Sequence, residues 1–408
     1  MSKSLGNVMD PLTIIQGGNN KKKEPAYGAD VLRLWVASVD YSGDVCIGNN
    51  ILQQTFESYR KLRNTLRYLL GNLNDYDFSQ HQVDYDNLPN FDQWILGQSS
   101  LVWKRVDEAM SEFQFQRAIQ ELLRFASSDL SNFYLDVAKD RLYISAPNDV
   151  QRRRSCQTVL HHVLLGLVKS LSPILPHLAE DAWQNYLDDS SEGGSTSVFE
   201  GGFPEHLMEF PLHEEEKWNF IRTLRDDVNK ALEKARADKL VGASLDAAAY
   251  IYTGDNSTMR EILSSLHHEQ DLFAHSSDST NHHVDDLCTI LMLSQVNLVN
   301  SPEEMELQCN ASYILDASST TSGCMVGVTK ARGTKCERCW FHHENPVQEG
   351  QRFPTACPRC NHAIASWEQV NEETFVYPGT ETTIETTAVQ KTTKTTKATT
   401  TEKQATAE

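Results

Sequence analysis

The chain has 408 residues, 39% hydrophobic and 23% charged, with 56 acidic against 37 basic side chains and a net charge of −19. That length allows two or three domains with a substantial core, and no apolar run approaches the ~18 residues of a membrane-spanning helix. Taken alone the charge argues against a nucleic-acid partner, but a protein gripping a folded RNA needs only local basic stripes, and acidic surface elsewhere rejects nonspecific nucleic acid.

The opening, Met1-Ser2-Lys3-Ser4-Leu5-Gly6-Asn7, suits nucleoside triphosphate chemistry. A mobile ammonium on Lys3 can follow negative charge as it builds on transferring phosphates, Ser2 and Ser4 add short hydroxyl donors, and Gly6 permits a sharp turn. Residues 51–73 then carry Leu52, Phe56, Tyr59, Leu62, Leu66, Leu69 and Leu73 at spacings of three and four, which predicts a helix with one buried face, capped by Asn49 or Asn50. Arg60, Lys61, Arg63 and Arg67 form a basic stripe on it.

A second helix is predicted from Phe91 through Trp94, Leu101, Val102, Val106 and Ala109, and a third through Phe115, Ile119, Leu122, Phe125, Phe133 and Val137. The fourth starts near Asp149, beside a second basic stripe at Arg152, Arg153 and Arg154, and packs through Val159, Val163, Leu167 and Leu171 until Pro173 and Pro176 break it. Leu178–Leu187 forms a further helical piece. Several long helices with short links predict an antiparallel bundle. Residues 188–212 read as a surface loop, and a long helix follows from Glu214 to Leu240, with Gly242 placed to stop it. Short β-prone runs at 247–252, 295–299, 313–315 and 325–329 predict a small α+β unit. Residues 371–408, rich in Thr and Lys, cannot bury enough surface to fold and read as a tail.

Cys336-x2-Cys339 and Cys357-x2-Cys360 have the spacing of a four-thiolate structural zinc site, in which two tight turns bring the sulfurs together. Neither pair is set in a thioredoxin-like βαβ context. His342, His343 and His362 are expected to be bystanders. The nine cysteines, an odd number, fit a reducing compartment, with Cys46, Cys156, Cys288, Cys309 and Cys324 as small packing residues.

Three stretches carry a resemblance. The opening, continued by Val8-Met9-Asp10-Pro11, Tyr27-Gly28-Ala29-Asp30-Val31-Leu32-Arg33-Leu34-Trp35 and Ser38-Val39-Asp40-Tyr41-Ser42-Gly43-Asp44, resembles the KMSKS loop and stem-contact segment of class I aminoacyl-tRNA synthetases, most closely the isoleucyl enzymes. The segments Asp129-Leu130-Ser131-Asn132-Phe133-Tyr134 and Lys139-Asp140-Arg141-Leu142-Tyr143 resemble their anticodon-binding bundle, with Phe133, Tyr134 and Tyr143 read as core aromatics. Lys335-Cys336-Glu337-Arg338-Cys339-Trp340 is similar to the C-terminal zinc module of the isoleucyl branch.

The resemblance implies a mainly α chain in five parts: the KMSKS and stem-contact segment at 1–48, the helical anticodon-binding bundle at 49–212, a long helix with the small α+β unit at 213–332, the zinc module at 333–370 and the tail at 371–408. It makes Lys3 the catalytic and ATP-binding residue, with Ser2 and Ser4 beside it. Cys336, Cys339, Cys357 and Cys360 become ligands of one Zn2+. It implies ATP with Mg2+ and isoleucine as substrates and tRNA(Ile) as partner; the basic clusters then offer Arg60, Lys61, Arg63, Arg67, Arg332, Lys335, Arg338 and Arg359, with Trp340, as candidate contacts, the alternatives being solvated helix faces for the cations and packing over the zinc knuckle for Trp340. The motif's first lysine is absent, and the nucleotide-binding Rossmann half with its HIGH-type turn and the editing domain have no counterpart. The chain is therefore expected to be the C-terminal portion of a longer ligase, inactive by itself, monomeric, not membrane-bound, and resident in the cytoplasm, plastid stroma or mitochondrial matrix. A free-standing zinc-containing tRNA-binding module is the alternative.

Overall fold

The computed structural model describes residues 4, 8–22, 24–146, 150–186, 196–204, 212–267, 286–344 and 353–371. Ser2, Lys3 and the tail from residue 372 onward lie outside the described residues, as does most of the expected loop at 188–212.

A short helix α1 (Pro11–Gln16), capped by Asp10 and opened by a proline, leads to α2 (Ala29–Ser38). The bundle follows: α3 (Asn49–Asn72), the single turn α4 (Phe78–His81), α5 (Asn90–Ser111), α6 (Phe115–Arg124), α7 (Leu135–Tyr143), α8 (Val150–Leu171) and α9 (Pro176–Tyr186). Helix α3 starts one residue earlier than a side-chain cap at Asn49 would require, since Gly48 holds the cap position and no side chain bonds there. Between α6 and α7, residues Phe125–Tyr134 continue the same rod with π-helical winding. Phe133 and Tyr134 are buried, as expected for core aromatics, whereas Tyr143 is 54% exposed. Helices α8 and α5 approach closely at Gly166, where a Cβ would fall 2.4 Å from the Trp103 ring.

The two prolines divide the work: α8 stops at Leu171, two residues before Pro173, and Pro176 opens α9, where a missing N–H costs nothing. Helix α2 docks on this break. Its Arg33 donates to the carbonyls of Pro173 and Ile174 at 2.8 and 2.9 Å, and its Asp30 accepts from the Leu178 N–H at 2.8 Å while pairing with His177 at 2.7 Å. Orphan groups at both helix ends are thereby satisfied.

Helix α10 (Leu212–Ala237) ends before Gly242, with Lys239 in the left-handed region at φ 59°. Its Trp218 enters the bundle against Phe91, with ring centroids 4.9 Å apart, and donates to Asn90 Oδ1 at 2.7 Å. One continuous core therefore runs from the bundle into the second unit. That unit is a four-stranded sheet of order β2-β1-β4-β3, from β1 (Ala247–Tyr252), β2 (Gln295–Leu298), β3 (Ile314–Leu315) and β4 (Met325–Lys330), with β1 parallel to β2 and the other pairs antiparallel. Helices α11 (Ser257–Leu266), α12 (Leu287–Leu291) and α13 (Pro302–Gln308) complete it. Alternation along β1 sends Ala247, Ala249 and Ile251 into the main core, and Ala248 and Tyr250 toward Met305 of α13. The last unit is a two-stranded ribbon, β5 (Thr334–Lys335) with β6 (His342–His343), followed by α14 (Pro358–Asn371).

Among the described residues no helix is long and apolar enough to cross a membrane. Of the cysteines expected to pack, Cys156, Cys309 and Cys324 are buried and Cys288 half-buried, but Cys46 is exposed. Burial pushes the Cys156 and Cys309 thiols up to about 11 and about 12, away from reactive thiolate chemistry.

Candidate metal centre and its seat on the helical bundle

The ribbon exists to turn a corner. Gly333, at φ 85°, sits where a Cβ would fall 2.1 Å from the His343 carbonyl oxygen, so only glycine lets the two strands close. Beyond β5 the Cys336 N–H donates to the Phe341 carbonyl and the Trp340 N–H to the Cys336 carbonyl, both at 2.9 Å, which coils the first knuckle. Trp340 takes a left-handed conformation at φ 68° and is 60% exposed. The second knuckle forms at the start of α14. Its Cys357 N–H donates to Cys336 Sγ at 3.2 Å, and the Asn361 side chain ties the turn to the Phe353 and Ala356 carbonyls at 2.9 and 2.8 Å.

The two knuckles bring all four sulfurs within 4.8 Å of one another, all from buried residues, and Cys339 Sγ lies 3.8 Å from Cys357 Sγ. A tetrahedral ion with metal–sulfur bonds of ~2.3 Å spaces its ligands by roughly 3.8 Å, so the donor set fits a divalent soft-ligand metal. As thiols, the four groups share protons: hydrogen bonds from Cys339, Cys357 and Cys360 lower Cys336 far below the ordinary thiol range, and those same bonds raise the three donors. A bound divalent cation would take the place of those shared protons. Four protein ligands would close its coordination shell, which is the signature of a structural ion rather than a catalytic one.

Neither His342 nor His343 belongs to the cluster of four converging sulfurs. His342 Nε2 contacts Asp246 Oδ1 at 3.3 Å, and its backbone N–H donates to Ser294 Oγ at 2.7 Å. Lys335 Nζ reaches the same Asp246 oxygen at 2.7 Å. Burial alone would raise the Asp246 carboxyl, but the hydrogen bonds from Lys335, the Ala243 N–H and His342 hold it down to about 2. The ribbon is thus tied to the sheet unit by one carboxylate.

The cationic residues around the centre divide into two groups. Arg332 and Lys335 are exposed, as is the neighbouring Trp340. Arg338 and Arg359 turn inward, onto the C-terminal end of α7: Arg338 donates to the Ile144 carbonyl at 2.8 Å, and Arg359 grips Asp140 with two bonds of 2.9 and 2.7 Å. Burial alone would raise Asp140, yet the guanidiniums of Arg359, Arg152 and Arg338 hold it below the usual carboxylate range. The structure thus gives these two arginines internal partners where an open RNA-facing surface was expected. The second basic stripe is engaged similarly: Arg153 pairs with Asp75, and Arg154 donates to the Asp75 carbonyl at 2.8 Å. Only the stripe on α3 stays open, with Arg60, Lys61, Arg63 and Arg67 all exposed and Arg60 paired to Glu57 at 2.5 Å.

Sequence reasoning missed the polar skeleton that fixes these parts. Arg141 and Asp92 form a fully buried two-bond pair at 2.7 Å, with the Tyr134 hydroxyl donating to Asp92 at 2.8 Å. Arg222 and Arg225 of α10 reach Asp129 at 2.6 Å and Asp136 at 2.8 Å on the central rod. Arg225 also donates to the carbonyls of Ile290 at 2.7 Å and Asn132 at 3.4 Å, the latter within the π-helical stretch. The signal was present as charged residues at otherwise apolar helix positions, but their partners lie far away in sequence.

Comparison with known proteins agrees with this architecture. Residues 92–251 match the family described as the anticodon-binding domain of tRNA ligase, and residues 1–48 match that of class I tRNA synthetases (I, L, M and V). The isoleucine–tRNA ligase of Crocosphaera subtropica is 45% identical over 365 residues, and that of Gloeothece citriformis 48%; each alignment covers 89% of this chain and 36% of the relative. The chloroplastic/mitochondrial isoleucine–tRNA ligase of Arabidopsis thaliana is 43% identical over 372 residues, covering 90% of this chain and 33% of the relative. The chain spans about a third of the length of the curated relatives it matches.

Proposed function

Because the chain belongs to the class I aminoacyl-tRNA synthetases, on their isoleucyl branch, we propose that it serves the ATP-dependent joining of isoleucine to tRNA(Ile). In that reaction the isoleucine carboxylate attacks the α-phosphate of ATP, pyrophosphate leaves, and the resulting adenylate passes its acyl group to a terminal tRNA hydroxyl with release of AMP. The supporting observation is 45–48% identity to isoleucine–tRNA ligases over 365 residues, 89% of the chain.

Lys3 is assigned the role of following charge onto the departing phosphates, with Ser2 and Ser4 as hydroxyl donors to ATP and Mg2+ as the metal accompanying the nucleotide. The adenine-binding sheet, the amino-acid pocket and any editing site would belong to the remaining two thirds of a protein of the relatives' length. The helical bundle is the proposed seat of the anticodon arm, and the exposed cations of α3, namely Arg60, Lys61, Arg63 and Arg67, are the proposed phosphate contacts. Arg332, Lys335 and Trp340 are proposed as the outer RNA contacts of the metal module, with the indole face free to stack on a base. Arg338 and Arg359, held against α7, would act on RNA through the pose of the module. We assign Zn2+ to the four cysteines, in a structural role. The protein is proposed to act as a monomer in the cytoplasm or in an organelle, plastid stroma or mitochondrial matrix; the name of the Arabidopsis relative favours the organellar setting.

Gel-shift titration of the purified chain tests the reading. Transcribed tRNA(Ile) is expected to bind more tightly than a noncognate tRNA, with that preference lost on removal of zinc by a chelator. Equal affinity for both RNAs, before and after chelation, would overturn it.

A further inference from the structure

Each cysteine knuckle carries an arginine immediately before its second sulfur: Cys336-Glu337-Arg338-Cys339 and Cys357-Pro358-Arg359-Cys360. Both side chains leave the metal centre in the same direction and end on the last turn of α7. Arg338 lies 3.7 Å from Cys360 Sγ on one side and 2.8 Å from the Ile144 carbonyl on the other. Arg359 grips both oxygens of Asp140, whose other neighbour is Arg152 of α8 at 3.9 Å. Trp367 of α14 donates its indole N–H to the Ser145 carbonyl at 3.3 Å, and Ile144 packs on the cluster that holds the four cysteines. The carbonyls of Ile144 and Ser145 follow the end of a helix, where intrahelical donors run out.

We propose that Arg338 and Arg359 are positioning residues that couple metal binding to docking of the module on the bundle. A divalent ion with four thiolates carries a net charge of about −2, and the two guanidiniums supply the opposing charge from just outside the ligand shell. Those same guanidiniums hold Asp140 and the Ile144 carbonyl. Filling the metal site strengthens the field that fixes both arginines, and seating them on α7 stabilises the filled site. By linkage the two equilibria favour each other equally. The proposal rests on the four-cysteine metal assignment above and extends it. The ion sets where the module sits, and hence where Trp340 is presented, without touching RNA itself.

The test uses the full chain loaded with zinc and Asp140→Asn, a substitution on the bundle side that leaves every ligand and both arginines intact. Release of zinc to a colorimetric chelator is expected to quicken on the order of tenfold, within the range typical of coupling between two sites. Asp140→Glu, which keeps the charge, should restore most of the native rate. The reciprocal measurement needs no variant: hydrogen exchange at residues 140–146 should speed up when the native protein is stripped of zinc. Native release from Asp140→Asn together with unchanged exchange in the stripped protein would overturn the coupling while leaving the metal assignment standing. A native chain that binds no zinc would overturn both.

Discussion

The buried pair Arg141–Asp92 gives the sharpest test of how the bundle is held. Both side chains are essentially inaccessible, at 1% and 0% exposure, and the guanidinium meets each carboxylate oxygen at 2.7 Å. Tyr134 completes the set by donating to Asp92 at 2.8 Å; burial first, and the Asp92 charge next, keep its phenol well above the ordinary range, so it remains a donor. Replacing Arg141 with Met keeps most of the volume but leaves the buried Asp92 carboxylate with the Tyr134 hydroxyl as its side-chain donor and without its opposing charge. Breaking a buried pair in this way costs about 3–5 kcal/mol. The double variant Arg141→Met with Asp92→Leu removes both charges and should recover all but about 1–3 kcal/mol, the cost of the Tyr134 hydroxyl left without its acceptor. Urea titration followed by tryptophan fluorescence reads the result, since Trp94 and Trp218 are fully buried in the bundle core. A loss below about 1 kcal/mol for Arg141→Met, or a double variant no better than the single, would refute the reasoning.

Two further outcomes are expected. His161 is held down to about 3 from an ordinary 6.5, by burial first and by His162 next, while its ring stacks on Phe78 at 4.3 Å. The unfolded chain takes up that proton below about pH 6.5 and the folded chain does not, so the stabilisation is complete above that pH and is lost as pH falls toward 3, by up to about 1.4 kcal/mol per unit. Urea midpoints at pH 7 and pH 4.5 should therefore differ less in His161→Gln than in the native chain, and an unchanged difference would rule His161 out. In a polypeptide that also carries the nucleotide-binding half, Lys3→Ala should slow isoleucine-dependent pyrophosphate exchange by ~10²–10³, with tRNA affinity unchanged; a parallel loss of both would remove Lys3 from the chemistry.

The helical elements and the cysteine knuckles were legible because each is written locally. Leu52, Leu62, Leu66 and Leu69 repeat at the helical period and are all buried on one face of α3, and two CxxC pairs converge because each makes its own tight turn. The strands of the small unit were equally visible as short β-prone runs, although their order β2-β1-β4-β3 was not, since register depends on which face meets α10. The π-helical winding at Phe125–Tyr134 leaves no mark in the apolar spacing, because the rod continues through it.

What the sequence could not reveal is which charges are spent inside the protein. Arg60 and Arg359 look alike as cations in a polar stretch, yet one stands on an open helix face and the other locks Asp140, a residue 219 positions away. The same holds along the central rod, where Asp129, Asp136 and Asp140 each receive an arginine from the C-terminal half, namely Arg222, Arg225 and Arg359. A guanidinium can bond a carboxylate at two points and is weakly hydrated, so it serves such joints better than lysine. Three joints along one rod fix both the sheet unit and the metal module against the helices that follow α3. A basic count near the knuckles therefore overstates the exposed charge there, since Arg338 and Arg359 are turned inward while Arg332 and Lys335 stay exposed.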